Sequence, residues 1–205
     1  LILLGRVIPF QDAELMQNFG DFLTQKMYTN NTSNAVIAYH GYLAGYELLA
    51  EAANSPEVSA LLDEVYEEIN QTLVAELHVD PQQQKAFAEK ARAKYTDWTI
   101  VDRVIRHGKD PLRKLGAQDR LIAPARMALN HGVHPRVIIE TIAKALFFDE
   151  ESDASARKLK AMRREHGIPY VLQTVCELNE QEPLYREVLK AVERICKEGM
   201  VKGHE

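Results

Sequence analysis

The sequence predicts an all-α protein, with a single helical domain over residues 1–205. Apolar residues recur three or four positions apart along nearly the whole chain, which is the spacing of an α-helix. No segment alternates strand and helix patterns, and only Leu1 to Pro9 has any strand character. Prolines at the beginnings of several periodic segments divide the chain into separate helices.

The first predicted helix runs from Leu15 to Tyr28, and a polar turn is predicted at Asn30 to Ser33. The next helix, Ala35 to Ala53, is apolar on most of its faces, which predicts burial on most sides. Small residues share one face of this helix, where another helix could approach closely: Ala38, Gly41 and Gly45.

Prolines mark where several later helices begin, because proline is favoured in the first turn. Ser55-Pro56 begins a helix whose apolar stripe runs from Leu61 to Val74. Asp80-Pro81 begins another helix, which continues to about Tyr95, and Pro111 opens a short basic piece. The remaining predicted helices are Ala117 to Asn130, Pro135 to Phe147, Ser152 to His166, Pro169 to Leu178 and Pro183 to Met200.

Composition excludes several classes of function. The net charge of −5 without a strongly basic block argues against a nucleic-acid partner. No apolar run reaches the ~18 residues of a membrane span. Cys176 and Cys196 lack metal or redox spacing, which predicts reduced thiols and a cytoplasmic protein. The opening Leu1 to Leu4 has neither signal-peptide features nor an initiator methionine, which predicts a fragment of a longer protein.

Lys26 precedes five consecutive amide or hydroxyl side chains, Asn30 to Asn34, which lead into the apolar helix. A lysine that loses its charge easily can act as a base, and amides can hold an alcohol or a developing oxyanion. Two plainer interpretations stay open: Lys26 could be a solvated charge near a helix C-terminus, and the polar residues could cap the next helix. One cap needs only one such residue, so the surplus points to function.

The pattern Lys26-x4-Asn31-x2-Asn34 resembles the Lys-x4-Asn-x2-His signature of the polyol-specific long-chain dehydrogenases. A second block, Asp102 to Leu115 followed by Asp119 to Pro124, supports the resemblance, and its element Pro111 to Leu115 is typical of the mannitol-1-phosphate 5-dehydrogenase branch of that family. The resemblance covers essentially the whole chain. It implies the family's C-terminal, all-helical substrate domain, with a fold similar to the C-terminal domain of 6-phosphogluconate dehydrogenase.

The chain departs from the family in three respects, one of which is Asp97-Trp98 where the family usually has Asn-Pro. Asn34 replaces the signature histidine, and an amide can hydrogen-bond a hydroxyl but cannot titrate near neutral pH. His40 follows six residues later, on a different helix face, and is not expected to substitute. The family's N-terminal Rossmann domain is absent, since the sequence has no Gly-x-Gly-x-x-Gly motif. The chain alone is therefore not expected to be an active dehydrogenase.

The resemblance implies an NAD-dependent interconversion of a secondary alcohol and a ketone, such as mannitol-1-phosphate and fructose-6-phosphate. NAD would be bound mainly by the missing domain. Lys26 is the implied general base, and Asn31 would hydrogen-bond the reacting oxygen and stabilise its charge. Asn34 would orient the same hydroxyl or a neighbouring one. The implied partner is therefore a small molecule, either a polyol or a polyol phosphate.

Basic residues in the second block are the implied substrate-binding groups. Arg106 would bind substrate oxygens, while Arg113 and Lys114 are candidates for a phosphate, with a solvated basic turn as the alternative. No metal site is predicted, because His131 and His134 flank a loop and lack a third ligand at a matching spacing.

A second interpretation is a non-catalytic helical binding module that kept the fold and lost the chemistry. The replacement at Asn34 and the missing cofactor domain are both compatible with it. An upstream glycine-rich strand–turn–helix in the reading frame would favour the enzyme, whereas a start codon just before Leu1 would favour the module.

Overall fold

The computed structural model describes residues 18–199, and the predicted all-α class is confirmed. Within this range there is no strand, and the one extended pairing is an isolated antiparallel bridge between Leu48 and Arg103. The predicted strand character of Leu1 to Pro9 and the first three residues of the predicted helix Leu15 to Tyr28 lie outside the described residues, while the rest of that helix, from Phe19, is observed as α-helix and π-helix.

The α-helices follow one another in chain order, with a π-helical segment, Met27–Asn31, between the first two. They are α1 (Phe19–Lys26), α2 (Thr32–Ala44), α3 (Leu49–Asn54), α4 (Pro56–Leu77), α5 (Pro81–Thr96), α6 (Val104–Gly108), α7 (Pro111–Lys114), α8 (Ile122–Asn130), α9 (Arg136–Ala145), α10 (Ala154–Thr174) and α11 (Pro183–Lys197).

Helix α2 is the centre of the structure. Residues 32–41 are buried on every side, and α2 packs against α3, α4, α6 and α9. This explains why its sequence is apolar all round, since a helix with no solvent-facing side has no place for a charged stripe. Burial of α2 on most sides was predicted from the sequence and is confirmed.

The predicted single helix from Ala35 to Ala53 is wrong, because the chain breaks between α2 and α3. Gly45 ends α2 in the left-handed region, at φ 83°, a conformation that glycine adopts without steric cost. A side chain at Gly45 would meet nothing within 4 Å, so this glycine is not a packing residue. Gly41, by contrast, allows close packing of two helices, because a Cβ at this position would lie 2.7 Å from the Cβ of Ala52 on α3.

The structure corrects one further predicted boundary, bears out another and adds a helix. The helix predicted from Ala117 begins only at Ile122, after a series of turns. The predicted break between the helices on either side of Pro169 is confirmed, because α10 consists of two helices separated by non-helical backbone at Gly167, with φ 82° and ψ 169°. Helix α6 was not predicted, because five residues are too few for a periodic pattern.

Backbone hydrogen bonds to the α2–α3 connection hold α6 in place. The amide of Leu49 donates to the carbonyl of Asp102 at 2.9 Å, and the amide of Val104 donates to the carbonyl of Glu47 at 2.9 Å. The hydroxyl of Tyr39 on α2 donates to the carbonyl of Gly108 at 3.1 Å. Contacts between distant parts of the chain therefore decide where this short helix lies.

Glu68 on α4 caps the N-terminus of α9 from inside the core. Its carboxylate accepts from the amides of Val137 at 2.8 Å and Ile138 at 3.4 Å, two of the groups that a helix N-terminus leaves unpaired. Burial raises the pKa of Glu68 to about 7, although both backbone amides favour the charged form. The folded protein therefore holds a proton on Glu68 more firmly than the unfolded chain does.

We expect Glu68→Gln to remove a pH dependence of stability. Between the ordinary pKa of 4.5 and the folded value of about 7, the folded state binds more protons than the unfolded state. The free energy of unfolding of the wild type should therefore fall as the pH rises through this window. At ~1.4 kcal/mol per pKa unit, the wild type should lose about 3 kcal/mol relative to the variant. Urea unfolding at a series of pH values measures this difference.

The matched control for that measurement is Glu193→Gln, which changes an exposed glutamate on α11. If Glu68→Gln and Glu193→Gln give parallel pH profiles, Glu68 does not hold the proton in the folded state.

Candidate active site

A π-helical turn sets the geometry of the signature residues. Lys26 is the last residue of α1, and Asn31 is the last residue of the π-helical segment. In an α-helix, residues five apart point about 140° away from one another. A π-helical turn instead pairs residues five apart, so Lys26 and Asn31 lie one above the other on consecutive turns. The Lys-x4-Asn spacing therefore places the two residues on the same side of the helix.

The predicted polar turn at Asn30 to Ser33 is therefore wrong, because these residues are helical. Several of their side chains stabilise the helix junction. The hydroxyl of Ser33 donates to the carbonyls of Thr29 at 2.7 Å and Asn30 at 3.1 Å, and the hydroxyl of Thr32 donates to the carbonyl of Arg120 at 2.7 Å. Both hydroxyls are buried and structural.

Of the three amides in this run, Asn30 donates to the carbonyl of Lys26 at 3.3 Å. The other two, Asn31 and Asn34, are three residues apart and share one face at the beginning of α2. The side chain of Asn31 makes no capping hydrogen bond, so the capping interpretation does not account for it. Both amides line a cleft of about 220 Å³. The other residues around this cleft come from α3, α5, α6 and the segment before α6: Leu49, Ala50, Lys94, Tyr95, Ile100, Asp102 and His107.

A chain of hydrogen bonds runs along one wall of the cleft. Nδ1 of His107 lies 2.9 Å from Nδ2 and 3.1 Å from Oδ1 of Asn34. On the other side of the ring, Nε2 lies 2.6 Å from Oδ2 of Asp102. Burial opposes the charge of Asp102, but hydrogen bonds from His107 and Arg106 outweigh it, and the pKa of Asp102 is below its usual range.

Arg106 lies beside this chain and is exposed. One guanidinium nitrogen donates to both carboxylate oxygens of Asp102, at 2.9 Å each. The side chain is 74% exposed, so it can bind a solvent-facing ligand next to the cleft.

Arg113 and Lys114 are adjacent in sequence but differ in environment. Arg113 is exposed, and its guanidinium donates to Asp110 at 2.8 Å and Asp119 at 3.1 Å. Lys114 is buried, with its ammonium donating to the backbone carbonyl of His107. Burial, together with the charges of nearby arginines, lowers the pKa of Lys114 to about 8. The structure brings Lys114, but not Arg113, into contact with the cleft wall.

Lys26 is exposed and does not line the cleft formed by the described residues. Asn31, one π-helical turn later, does line it. Of the six residues that the sequence singles out, Asn31 and Asn34 line the cleft directly. Arg106 and Lys114 touch residues of its wall, while Lys26 and Arg113 lie at the surface.

A family model named mannitol dehydrogenase C-terminal domain matches residues 18–200. The chain belongs to this family. Mannitol-1-phosphate 5-dehydrogenase of Bacillus pumilus is 33% identical over 191 residues, which are 93% of this chain and 50% of the relative. The enzyme of the same name from Bacillus velezensis is 35% identical over 169 residues, which are 82% of this chain and 44% of the relative. The family resemblance predicted from the sequence is confirmed.

The chain spans about half the length of the curated relatives that it matches. Two solved structures share the fold of the mannitol dehydrogenase C-terminal domain. A ternary complex of Pseudomonas fluorescens mannitol 2-dehydrogenase with NAD and D-mannitol has a TM-score of 0.65 at 15% identity, covering 90% of this chain and 40% of the other. A substrate-free D-sorbitol dehydrogenase has a TM-score of 0.72 at 16% identity, covering 91% and 41%.

Sequence reasoning assigned no role to two cleft residues of this mannitol dehydrogenase C-terminal domain, Asp102 and His107. The available signal was their position: His107 directly follows Arg106, which the resemblance singled out, and Asp102 lies five residues earlier. Their link to Asn34 is invisible in the sequence, because 73 residues separate the two partners.

The part of the chain that the structure describes includes no helix long and apolar enough to cross a membrane. Within residues 18–199, no group of three histidine, cysteine, aspartate or glutamate side chains is arranged to hold a metal ion.

Proposed function

We propose that this chain is the substrate-binding and catalytic-lysine half of an NAD-dependent polyol or polyol-phosphate dehydrogenase. The observation that carries the proposal is the π-helical turn, which aligns Lys26 with Asn31 beside a cleft that also contains Asn34. The family and the name shared by its relatives, mannitol-1-phosphate 5-dehydrogenase, support a sugar-alcohol substrate. The proposed reaction is oxidation of a secondary alcohol to a ketone, as from mannitol-1-phosphate to fructose-6-phosphate.

In this proposal Lys26 takes the proton of the alcohol through its neutral amine. Asn31 donates a hydrogen bond to the same oxygen and stabilises the negative charge that develops on it. Asn34 orients that hydroxyl or its neighbour from the same helix face. The nicotinamide, when bound, supplies the hydride acceptor.

The described residues do not fit a dinucleotide. They form no strand followed by a glycine-rich turn and a helix, which is the arrangement that binds a pyrophosphate. We therefore assign no NAD contact to these residues, and the cofactor belongs to another part of the enzyme. Exposure of Lys26 supports this division, because a surface base can meet a cofactor held by a second domain.

The proposed substrate oxygens or phosphate face Arg106, whose guanidinium lies beside the cleft and in solvent. Arg113 can join it only by leaving the carboxylates of Asp110 and Asp119. Lys114 is already bonded to the carbonyl of His107, so we propose that it supports the cleft wall beneath the substrate. The proposed compartment is the cytoplasm.

We expect the 205-residue chain alone to show no NAD-dependent oxidation of mannitol-1-phosphate, because hydride transfer requires a cofactor held against the substrate. The product of the complete reading frame that encodes the chain, called here the full-length protein, is expected to be active. Initial rates of NADH formation with mannitol-1-phosphate and with mannitol measure both expectations and report which polyol is used. Turnover by the purified chain alone would contradict the first expectation.

The alternative, a non-catalytic helical module, is favoured by one observation: Asn34 replaces the titratable histidine of the signature. The module interpretation predicts the opposite result in the same assay, namely no turnover by the full-length protein. A full-length protein with no activity toward polyols or their phosphates, in either direction, would support the module over the enzyme.

A further inference from the structure

We infer that Asp102, His107 and Asn34 act together in place of the single signature histidine, with His107 as the positioning residue for the amide of Asn34. This inference rests on the proposed function. It arises from an exchange that the structure makes visible: the imidazole missing from position 34 is present on another helix, in contact with Asn34.

The direction of the hydrogen bonds follows from Asp102. An ionised carboxylate only accepts, so Nε2 of His107 carries the proton that it donates across the 2.6 Å contact. In the neutral ring, Nδ1 is then an acceptor, and Nδ2 of Asn34 donates to it at 2.9 Å. The amide of Asn34 is thereby held in one orientation, with its oxygen and its second N–H available to a ligand.

The same arrangement accommodates a charged imidazole. If Nδ1 gains a proton, it can donate to Oδ1 of Asn34, which lies 3.1 Å away. The amide can thus satisfy both states of the ring by exchanging its two ends. A direct histidine at position 34 would need no intermediary, whereas the amide depends on His107 for its orientation.

Contacts with other helices hold α6, which contributes His107 to this series of hydrogen bonds, in a fixed position. His107 lies on α6, which is bonded to the α2–α3 connection and to Tyr39. The ammonium of Lys114 donates a hydrogen bond to the backbone carbonyl of His107. The other histidine near the signature, His40, is buried on α2 with its Nε2 3.2 Å from the hydroxyl of Thr141, and it is not one of the residues that line the cleft. His107 is therefore the imidazole that the described structure brings to the signature.

Moving the imidazole back to position 34 tests the inference. In the full-length protein, His107→Ala should lower kcat on the order of 10²-fold, because a misplaced orienting group costs about that much. The double variant Asn34→His with His107→Ala should recover most of the lost kcat, since the new ring can occupy the vacated space and reach Asp102. His131→Ala is the matched control, because His131 forms a similar pair with Glu76, also at 2.6 Å, outside the cleft.

The outcomes separate the inference from the proposed function. An inactive wild type overturns both. An active wild type whose His107→Ala variant is unimpaired, or is impaired and not rescued by the double variant, overturns the inference alone. A His107→Ala variant that does not fold would also be inactive. Circular dichroism spectra of His107→Ala and the wild type are therefore compared first, and the double variant is assayed when the two spectra agree.

A second measurement does not depend on turnover. Nitrogen-15 NMR of the histidine rings in the 205-residue chain reports which ring nitrogen of neutral His107 carries the proton. The expected result is the Nε2–H form, changing in Asp102→Asn, because an amide at position 102 can donate to Nε2. The Nδ1–H form in the wild type would overturn the proposed chain of hydrogen bonds.

Discussion

Lys26→Ala in the full-length protein is expected to lower kcat by about 10²–10⁴-fold while weakening substrate binding much less. The reason is that a general base acts in the transition state, whereas contacts such as that of Arg106 act on the bound substrate as well. Steady-state kinetics with mannitol-1-phosphate separate the two effects, since the loss should fall on kcat and leave KM nearly unchanged.

The matched control is Lys158→Ala, which removes an exposed lysine from α10, far along the chain from the signature. Both variants delete one surface charge, so a general effect of charge would appear in both. Wild-type turnover by Lys26→Ala would show that Lys26 is only a solvated charge, the plainer interpretation that the sequence left open. In that case the dehydrogenase mechanism proposed for this chain is wrong.

Phe148→Ala is expected to lower the free energy of unfolding by about 3–5 kcal/mol, the usual range for removing a buried aromatic ring. Phe148 is fully buried and packs edge-on against Tyr39, with 5.6 Å between ring centres. It also fills the space beside Gly108, where an added Cβ would lie 2.3 Å from the ring. Urea unfolding followed by circular dichroism measures the loss.

The close approach of Phe148 to Gly108 makes the prediction sharper. Gly108→Ala should cost about 1–3 kcal/mol through overpacking in the wild type, and much less in the Phe148→Ala background. Gly20→Ala is the control, because a side chain at Gly20 meets nothing within 4 Å. Equal costs of Gly108→Ala in both backgrounds would show that the ring does not exclude a side chain there.

Local chemistry made several features predictable from the sequence. Helix beginnings at Pro56 and Pro81 are confirmed, because the preceding Ser55 and Asp80 accept from backbone amides of their own first turns. Burial of α2 followed from its lack of a charged face. These features depend on neighbours within a few residues, or on composition alone, so no knowledge of the fold was needed.

The sequence did not predict the π-helical segment, because a polar turn and a π-helical turn have similar local sequence requirements. The polar residues of Asn30 to Ser33 are compatible with a turn, and the sequence does not distinguish that turn from a π-helical segment. Partners far along the chain hold these residues in place. The hydroxyl of Thr32 donates to the carbonyl of Arg120, and the hydroxyl of Tyr95 donates to the carbonyl of Asn30. Local propensity carries no record of such partners.

The sequence by itself determined the helical class, the family and the Lys26–Asn31–Asn34 spacing, because these are patterns of residue type along the chain. Only the tertiary structure decided that His107 touches Asn34. That contact depends on α6, which five residues cannot specify and which hydrogen bonds to a distant connection hold in place. A side chain's partners in a cleft are set by how helices pack, and packing is a property of the whole folded chain.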